Sequence, residues 1–223
     1  MFDVKTSFDV ITSIFSSESQ LYSDLDYNKK YKCSPSTNSR GFKLIYKLVM
    51  ISNKYPEVNS YLDKYLSDNP NEINVQTTKG WSALHLACRN LNTYSNLKTI
   101  RILLKHKATI DIQNIYGRTA LHMSCRYSNK DSNIGTVKLL LKHKADVDIQ
   151  ENDGLTALHI ACRYSKTDSN IETVKLLLKY NADVDIQEND GFTALHMSCR
   201  VSNTTVKLLL KNKAKVDIQT NDG

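Results

Sequence analysis

Between residues 154 and 190 the spacing of apolar positions changes from one regime to another. Leu158, Ala161 and Cys162 fall at i, i+3, i+4, and Ile171, Val174, Leu177 and Leu178 at i, i+3, i+6, i+7. That predicts two short helices, each with one apolar face. Thr156 is placed to start the first helix, and Ser169 followed by Glu172 has capping-box spacing for the second. Asp183-Val184-Asp185-Ile186-Gln187 then alternates polar and apolar and runs into Asn189-Asp190-Gly191, which predicts an extended segment and a tight turn. Helices of about eight residues are marginal alone in water, so each must stack on a neighbour.

The neighbours are copies of the same unit. Ala-Leu-His recurs at 83–85, 120–122, 157–159 and 194–196, an interval of 37 residues each time. Gly80, Gly117, Gly154 and Gly191 share the interval, as do Cys88, Cys125, Cys162 and Cys199, and Arg89, Arg126, Arg163 and Arg200. Self-similarity at such a period is the signature of a solenoid, whose units bury their apolar faces only against one another. Residues 41–79 read as a degenerate copy that caps the stack, because Gly41 precedes the apolar run Leu44 to Ile51 and Ile73-Asn-Val-Gln76 precedes Gly80. Full copies are expected at 80–116, 117–153, 154–190 and 191–223, the last running into the start of an unfinished one. Within residues 1–40, Phe8, Ile11, Ile14 and Phe15 suggest a short helix, and the Ser-, Asn- and Lys-rich stretch from 28 to 40 reads as a linker.

The segments Gly154-Leu-Thr-Ala-Leu-His-Ile-Ala-Cys, Thr173-Val-Lys-Leu-Leu-Leu and Asn181-Ala-Asp-Val-Asp resemble the successive blocks of an ankyrin repeat. The resemblance implies an all-α repeat solenoid of helix-turn-helix repeats joined by β-hairpin loops, which binds other proteins on its concave side. This sequence departs from the family pattern in three ways. Alanine stands at 83, 120, 157 and 194 where proline is usual. Lys107, Lys144, Asn181 and Lys213 take the usual glycine position after the second helix, where a left-handed cap costs a non-glycine residue about 1 kcal/mol. The first three copies also exceed the family period of about 33 residues, through insertions between the helices at 90–95, 127–132 and 164–169 that the fourth lacks. The abundance of Asn, Lys, Ile, Ser and Tyr, with nearly identical adjacent copies, resembles the ankyrin proteins of giant amoeba-infecting DNA viruses.

The formal net charge of +7 is concentrated in residues 80–223 and points weakly to an acidic partner. The five cysteines are not clustered as in a disulfide-stapled domain, which favours a reducing compartment such as the cytoplasm of a host cell. No apolar run approaches the eighteen or so residues that span a bilayer, so no membrane partner is expected. The most metal-like feature is the recurring His-x-x-Cys pair, but side-by-side helices lie roughly 8 to 10 Å apart and their equivalent residues form a ladder, whereas zinc needs four ligands at about 2.0 to 2.3 Å. Four equivalent copies also argue against a unique cysteine nucleophile, and no phosphate loop or carboxylate pair is present. The sequence therefore calls for no metal, no cofactor and no catalytic residue.

The family's contact positions, carried onto this chain, assign partner binding to Trp81 and Arg89 in the first full copy and to Tyr116, Arg118, Arg126 and Tyr127 around the second. In the third and fourth they select Leu155, Arg163, Tyr164, Phe192 and Arg200. Trp81, Leu155 and Phe192 are expected as apolar groups on exposed hairpins. Trp, Tyr and Arg are the usual energetic anchors of interfaces. The expected partner is a protein with acidic and apolar elements, met by a monomer unless the open face of the last repeat pairs. Two alternatives compete: nucleic acid on the lysines that recur along the second helices, and an adaptor that uses residues 1–40 to recruit machinery such as a ubiquitin ligase.

Overall fold

The structure is a computed structural model that describes residues 44–52, 55, 58–89, 96–126, 131–165 and 168–222. Its helices come in pairs: α1 (Leu44–Ile51) with α2 (Val58–Asp68), α3 (Ala83–Arg89) with α4 (Asn96–Lys105), and α5 (Ala120–Arg126) with α6 (Asp131–Lys142). These are followed by α7 (Ala157–Arg163) with α8 (Asp168–Lys179), and α9 (Ala194–Cys199) with α10 (Asn203–Lys211). A 3₁₀ turn at Pro70–Glu72 follows α2. Odd-numbered helices pack on one another in an inner row and even-numbered helices in an outer row, so the fold is a helical solenoid. No helix among the described residues is long and apolar enough to cross a membrane. The expected helix near Phe8 and the expected linker at 28–40 lie outside the described residues.

The core is the repeated apolar register. Leu158, Ala161, Cys162, Val174 and Leu177 are fully buried, as are Leu121, Cys125, Val137 and Leu140 one repeat earlier. Each leucine so enclosed contributes about 1.5 to 3 kcal/mol, which offsets the weakness of seven-residue inner helices. At the N-terminal end a polar relay joins the first pair to the next: Thr99 donates to Asn59 Oδ1 at 2.8 Å and lies 2.8 Å from Ser52 Oγ.

Each outer helix ends in the same way. Lys107, Lys144, Asn181 and Lys213 have φ of 64, 65, 61 and 65°, the left-handed region expected for them. The residue after each donates to a carbonyl five residues back, as Ala145 N does to Leu140 O at 3.1 Å, while Lys144 N donates to Leu141 O at 3.0 Å. Those two bonds define a Schellman cap. The outer helices themselves differ from expectation. Helix α8 begins at Asp168, one residue ahead of the expected start at Ser169. Both α6 and α8 have 12 residues whereas α10 has 9. Part of the second and third insertions is thus helical, in the first turn where backbone N–H groups have no intrahelical acceptor in any case. Residues 90–95, 127–130 and 166–167 of the insertions lie outside the described residues.

The loops between repeats turn as hairpins, but no strand forms among the described residues. Asn114 N donates to Arg118 O at 3.0 Å and Gly117 N to Asn114 O at 2.8 Å, with Gly117 at φ 72°. A Cβ at Gly117 would sit 2.5 Å from Asn152 Oδ1, so both the turn and the next hairpin require glycine. Side-chain amides replace the missing ladder. Gln113 Nε2 donates to Gly117 O in its own hairpin and to Gln150 O in the next, at 2.7 and 3.2 Å, and Gln76, Gln150 and Gln187 repeat the pattern. Asn152 Nδ2 donates to Ile115 O and Asn189 Nδ2 to Asn152 O, each at 2.9 Å. Each hairpin is thereby registered on the one before it.

The left-handed caps generate a test. Lys144→Gly should raise the free energy of unfolding in urea by about 1 kcal/mol, because glycine occupies φ near +65° without strain. Lys144→Ala should give no such gain. A loss of stability with glycine would show that the lysine side chain, and not its backbone conformation, sets the energetics of this cap.

Candidate protein-binding surface

The inner helices start from a shared device. Thr156 sits in extended conformation at φ −87°, ψ 171° and its side chain accepts from His159 N, while Thr156 N donates back to His159 Nδ1 at 3.2 Å. Ser82 with His85 and Thr119 with His122 repeat the back-bond at 3.2 Å, and Thr193 with His196 at 3.1 Å. A backbone N–H can only donate, so Nδ1 is the acceptor and the proton resides on Nε2. The Nε2–H in turn reaches the following repeat: His85 donates to Arg118 O at 2.7 Å, His122 to Leu155 O and His159 to Phe192 O, both at 3.1 Å. Both ring nitrogens are engaged, so the imidazoles cap and bridge, and present no lone pair to a metal. Burial holds His85, His122 and His159 below the ordinary imidazole range, and pushes His122 down to about 4.

Trp81, Arg118, Leu155 and Phe192 occupy one structural position, directly after the hairpin glycine, and this corrects the expectation of freely exposed fingers. Trp81, Leu155 and Phe192 are half-buried. The Trp81 ring lies edge-on to His85 with centroids 5.8 Å apart, and Phe192 lies in the same way on His196 at 5.8 Å. These rings pack edge-on against the histidine of their own repeat and keep part of their surface exposed. Arg118 is half-buried too, because Nε donates to Oε2 of Glu151 at 3.0 Å and the Glu151 carboxylate is only 1% exposed. Glu151 also accepts from Asp153 N at 3.1 Å, so the pair clasps successive hairpins. Sequence reasoning missed this role. Its signal was the polar residue three places ahead of each glycine: Thr77, Asn114, Glu151 and Glu188 all accept backbone N–H groups of their own turn.

What remains outward is a second set. Ile115 at 53% exposure and Tyr116 at 43% stand on the second hairpin, and Tyr164 at 37% follows α7. Arg163 and Arg200 are exposed, and Arg126 is half-buried. Three arginines lie over aromatic faces: Arg89 at 5.2 Å from the Trp81 centroid, Arg118 at 5.6 Å from Tyr116, and Arg126 at 5.9 Å from Tyr164, the last pair spanning two repeats. Such contacts contribute about 0.5 to 1 kcal/mol where exposed and hold the guanidinium in place. Tyr127 lies outside the described residues. Asn152 and Asn189 are committed to the amide ladder described above.

Elsewhere the repeats offer little chemistry. Cys88, Cys125 and Cys162 are buried, and burial raises all three thiols, Cys162 to about 12, so they behave as small apolar groups. Lys138, Lys142, Lys175, Lys179, Lys207 and Lys211 line the outer helices and are exposed.

Ordered pairs of this kind, bridged at a fixed interval, are matched by a family model for ankyrin repeats in three copies over residues 49–150 and again over 130–222. The chain belongs to the ankyrin-repeat family. It is also similar to three ankyrin repeat proteins of Acanthamoeba polyphaga mimivirus, at 37, 33 and 33% identity over 84, 88 and 87 residues. Those matches cover 38, 37 and 38% of this chain but 12, 14 and 10% of the relatives, which are much longer proteins. Ankyrin repeats generally mediate protein–protein interaction.

The buried imidazoles make the ankyrin stack sensitive to acid in one direction. A histidine held below its unfolded value of 6.5 contributes stability that is fully present above that pH and is lost as pH falls toward the folded value, about 4 for His122. Asp111 and Asp148, raised by burial, act with the opposite sign but only in the carboxylate range. The thermal midpoint should therefore be level from pH 8 to 7 and fall from pH 6.5 to 5, and the His122 ring should show no NMR titration until near pH 4. A His122 resonance that titrates at pH 6.5 would contradict the assigned burial.

Proposed function

We propose that this chain is a non-enzymatic protein-interaction module that binds its partner across the concave face formed by the hairpins and the inner helices. The observation that carries the reading is the division of labour among the family contact positions. Trp81, Leu155 and Phe192 support the scaffold, while Ile115, Tyr116 and Tyr164 stay outward beside Arg126, Arg163 and Arg200. An arginine held over an aromatic ring and next to an exposed tyrosine has already lost much of its side-chain freedom, which lowers the entropy cost of binding. The binding set in this reading is Tyr116, Arg126, Tyr164, Arg163 and Arg200, with the rims of Trp81 and Arg89 beside it. Four described cysteines carry free thiols, which favours action in a reducing compartment, as the cytoplasm of an infected cell would be.

The test is capture from amoeba lysate with the full chain as bait. Ile115→Ser combined with Tyr116→Ser and Tyr164→Ser removes exposed side chains and should leave the circular dichroism unchanged while abolishing recovery of the specific protein band. Lys142→Glu with Lys179→Glu on the outer helices should leave that band intact. The reverse pattern, with nuclease-sensitive recovery, would replace the concave protein site with nucleic-acid binding on the lysine ridge.

A further inference from the structure

The ends of the inner helices carry a row of arginines whose pitch is set by the fold. Arg89, Arg126 and Arg163 are the last residues of α3, α5 and α7, and Arg200 caps α9. The inner helices pack side by side, so consecutive members of the row are separated by about one interhelical distance, roughly 8 to 10 Å. Among the described residues no carboxylate pairs with Arg126, Arg163 or Arg200. Glu151, the buried acid of this face, is committed to Arg118. Asp153 and Asp190 stand on the hairpin tips, at the other end of inner helices that are about 10 Å long.

A partner that satisfies this row must present carboxylates roughly 8 to 10 Å apart on one side. A β-strand advances about 10 Å in three residues, but its side chains alternate, so every second group of an i, i+3 series turns away. An α-helix covers the same distance in six to seven residues and presents one group per two turns. A polyproline II segment rises about 3.1 Å per residue with three residues per turn, which places i, i+3, i+6 and i+9 in one line at about 9.3 Å. Tyr164, whose exposed ring lies against Arg126 between two members of the row, is the kind of aromatic platform on which proline docks.

We infer that the arginine row receives an acidic segment of a partner protein in polyproline II conformation, with a carboxylate at every third residue. The inference rests on the concave protein-binding reading and adds to it the register, conformation and charge of what is bound. Arg126 and Arg163 form the centre of the row and Arg200 one end.

The probe is a fluorescein-labelled peptide of four Glu-Pro-Ser triplets, titrated with the full chain and read by anisotropy. A peptide of the same composition with its four glutamates contiguous is the control. The triplet peptide should bind about tenfold more tightly than the contiguous one, and Arg126→Gln with Arg163→Gln should weaken it about tenfold, a few-fold per exposed pair. Equal binding of the two peptides, or an unchanged affinity in the arginine variant, overturns the inference. A single-stranded oligothymidine that binds more tightly than the triplet peptide and is lost in the same variant also overturns it, in favour of a phosphate backbone. Failure here is distinguishable from failure of the protein-binding reading: if lysate capture still depends on Tyr116 and Tyr164 while neither peptide binds, the concave site stands and the acidic register falls.

Discussion

Everything in this molecule depends on where one proton sits on each repeated imidazole. With Nδ1 accepting from the backbone N–H of the residue that starts the inner helix, Nε2–H is free to reach the carbonyl that follows the next repeat's glycine. One side chain thus starts a helix too short to persist alone and ties that helix to the following hairpin. Because the bond runs from repeat to repeat, no unit is complete without its successor, which is why short pairs of helices add up to a stable stack.

The hairpins follow from the same constraint. A carbonyl must be held at the end of each imidazole bond, and the turn that carries it is fixed by a left-handed glycine, by a polar side chain three residues ahead of that glycine, and by glutamine and asparagine amides that reach the adjacent hairpin. Amide ladders do here what a strand ladder was expected to do. They leave the hairpins closely registered, so the side chains that still point outward are spaced by the solenoid and not by their own flexibility. Arg89, Arg118 and Arg126 gain a second restraint from the aromatic rings beneath them. The proposed binding face would thus be organised before a partner arrives.

Much of the fold was legible because the repeat writes the same instruction several times. The apolar spacing of Leu158, Ala161 and Cys162 and the left-handed position of Lys144 and Asn181 are local properties, and local properties recur visibly at a fixed interval. The candidate site was legible only in part. Family contact positions name Trp81 and Phe192 as readily as Tyr116, but the edge-on contact that the first two make with a histidine of their own repeat leaves them half-buried, which the sequence of one repeat does not reveal. Arg118 stood in the same list, and the carboxylate that occupies it lies a full repeat away at Glu151. Such pairings depend on stacking geometry between units and not on the residues within one. The Gln76, Gln113, Gln150 and Gln187 series was visible as a period, yet its meaning required knowing that the hairpins stand close enough for a side chain to bridge them.

The central claim is the tautomer, and nitrogen-15 NMR of the imidazole rings reads it directly through the long-range couplings between ring nitrogens and carbon-bound protons. The account predicts that His85, His122 and His159 are each neutral and protonated at Nε2 at pH 7, with Nδ1 shifted as an unprotonated acceptor. Observation of Nδ1–H, or of averaged shifts typical of a free imidazole, at these three residues would contradict it.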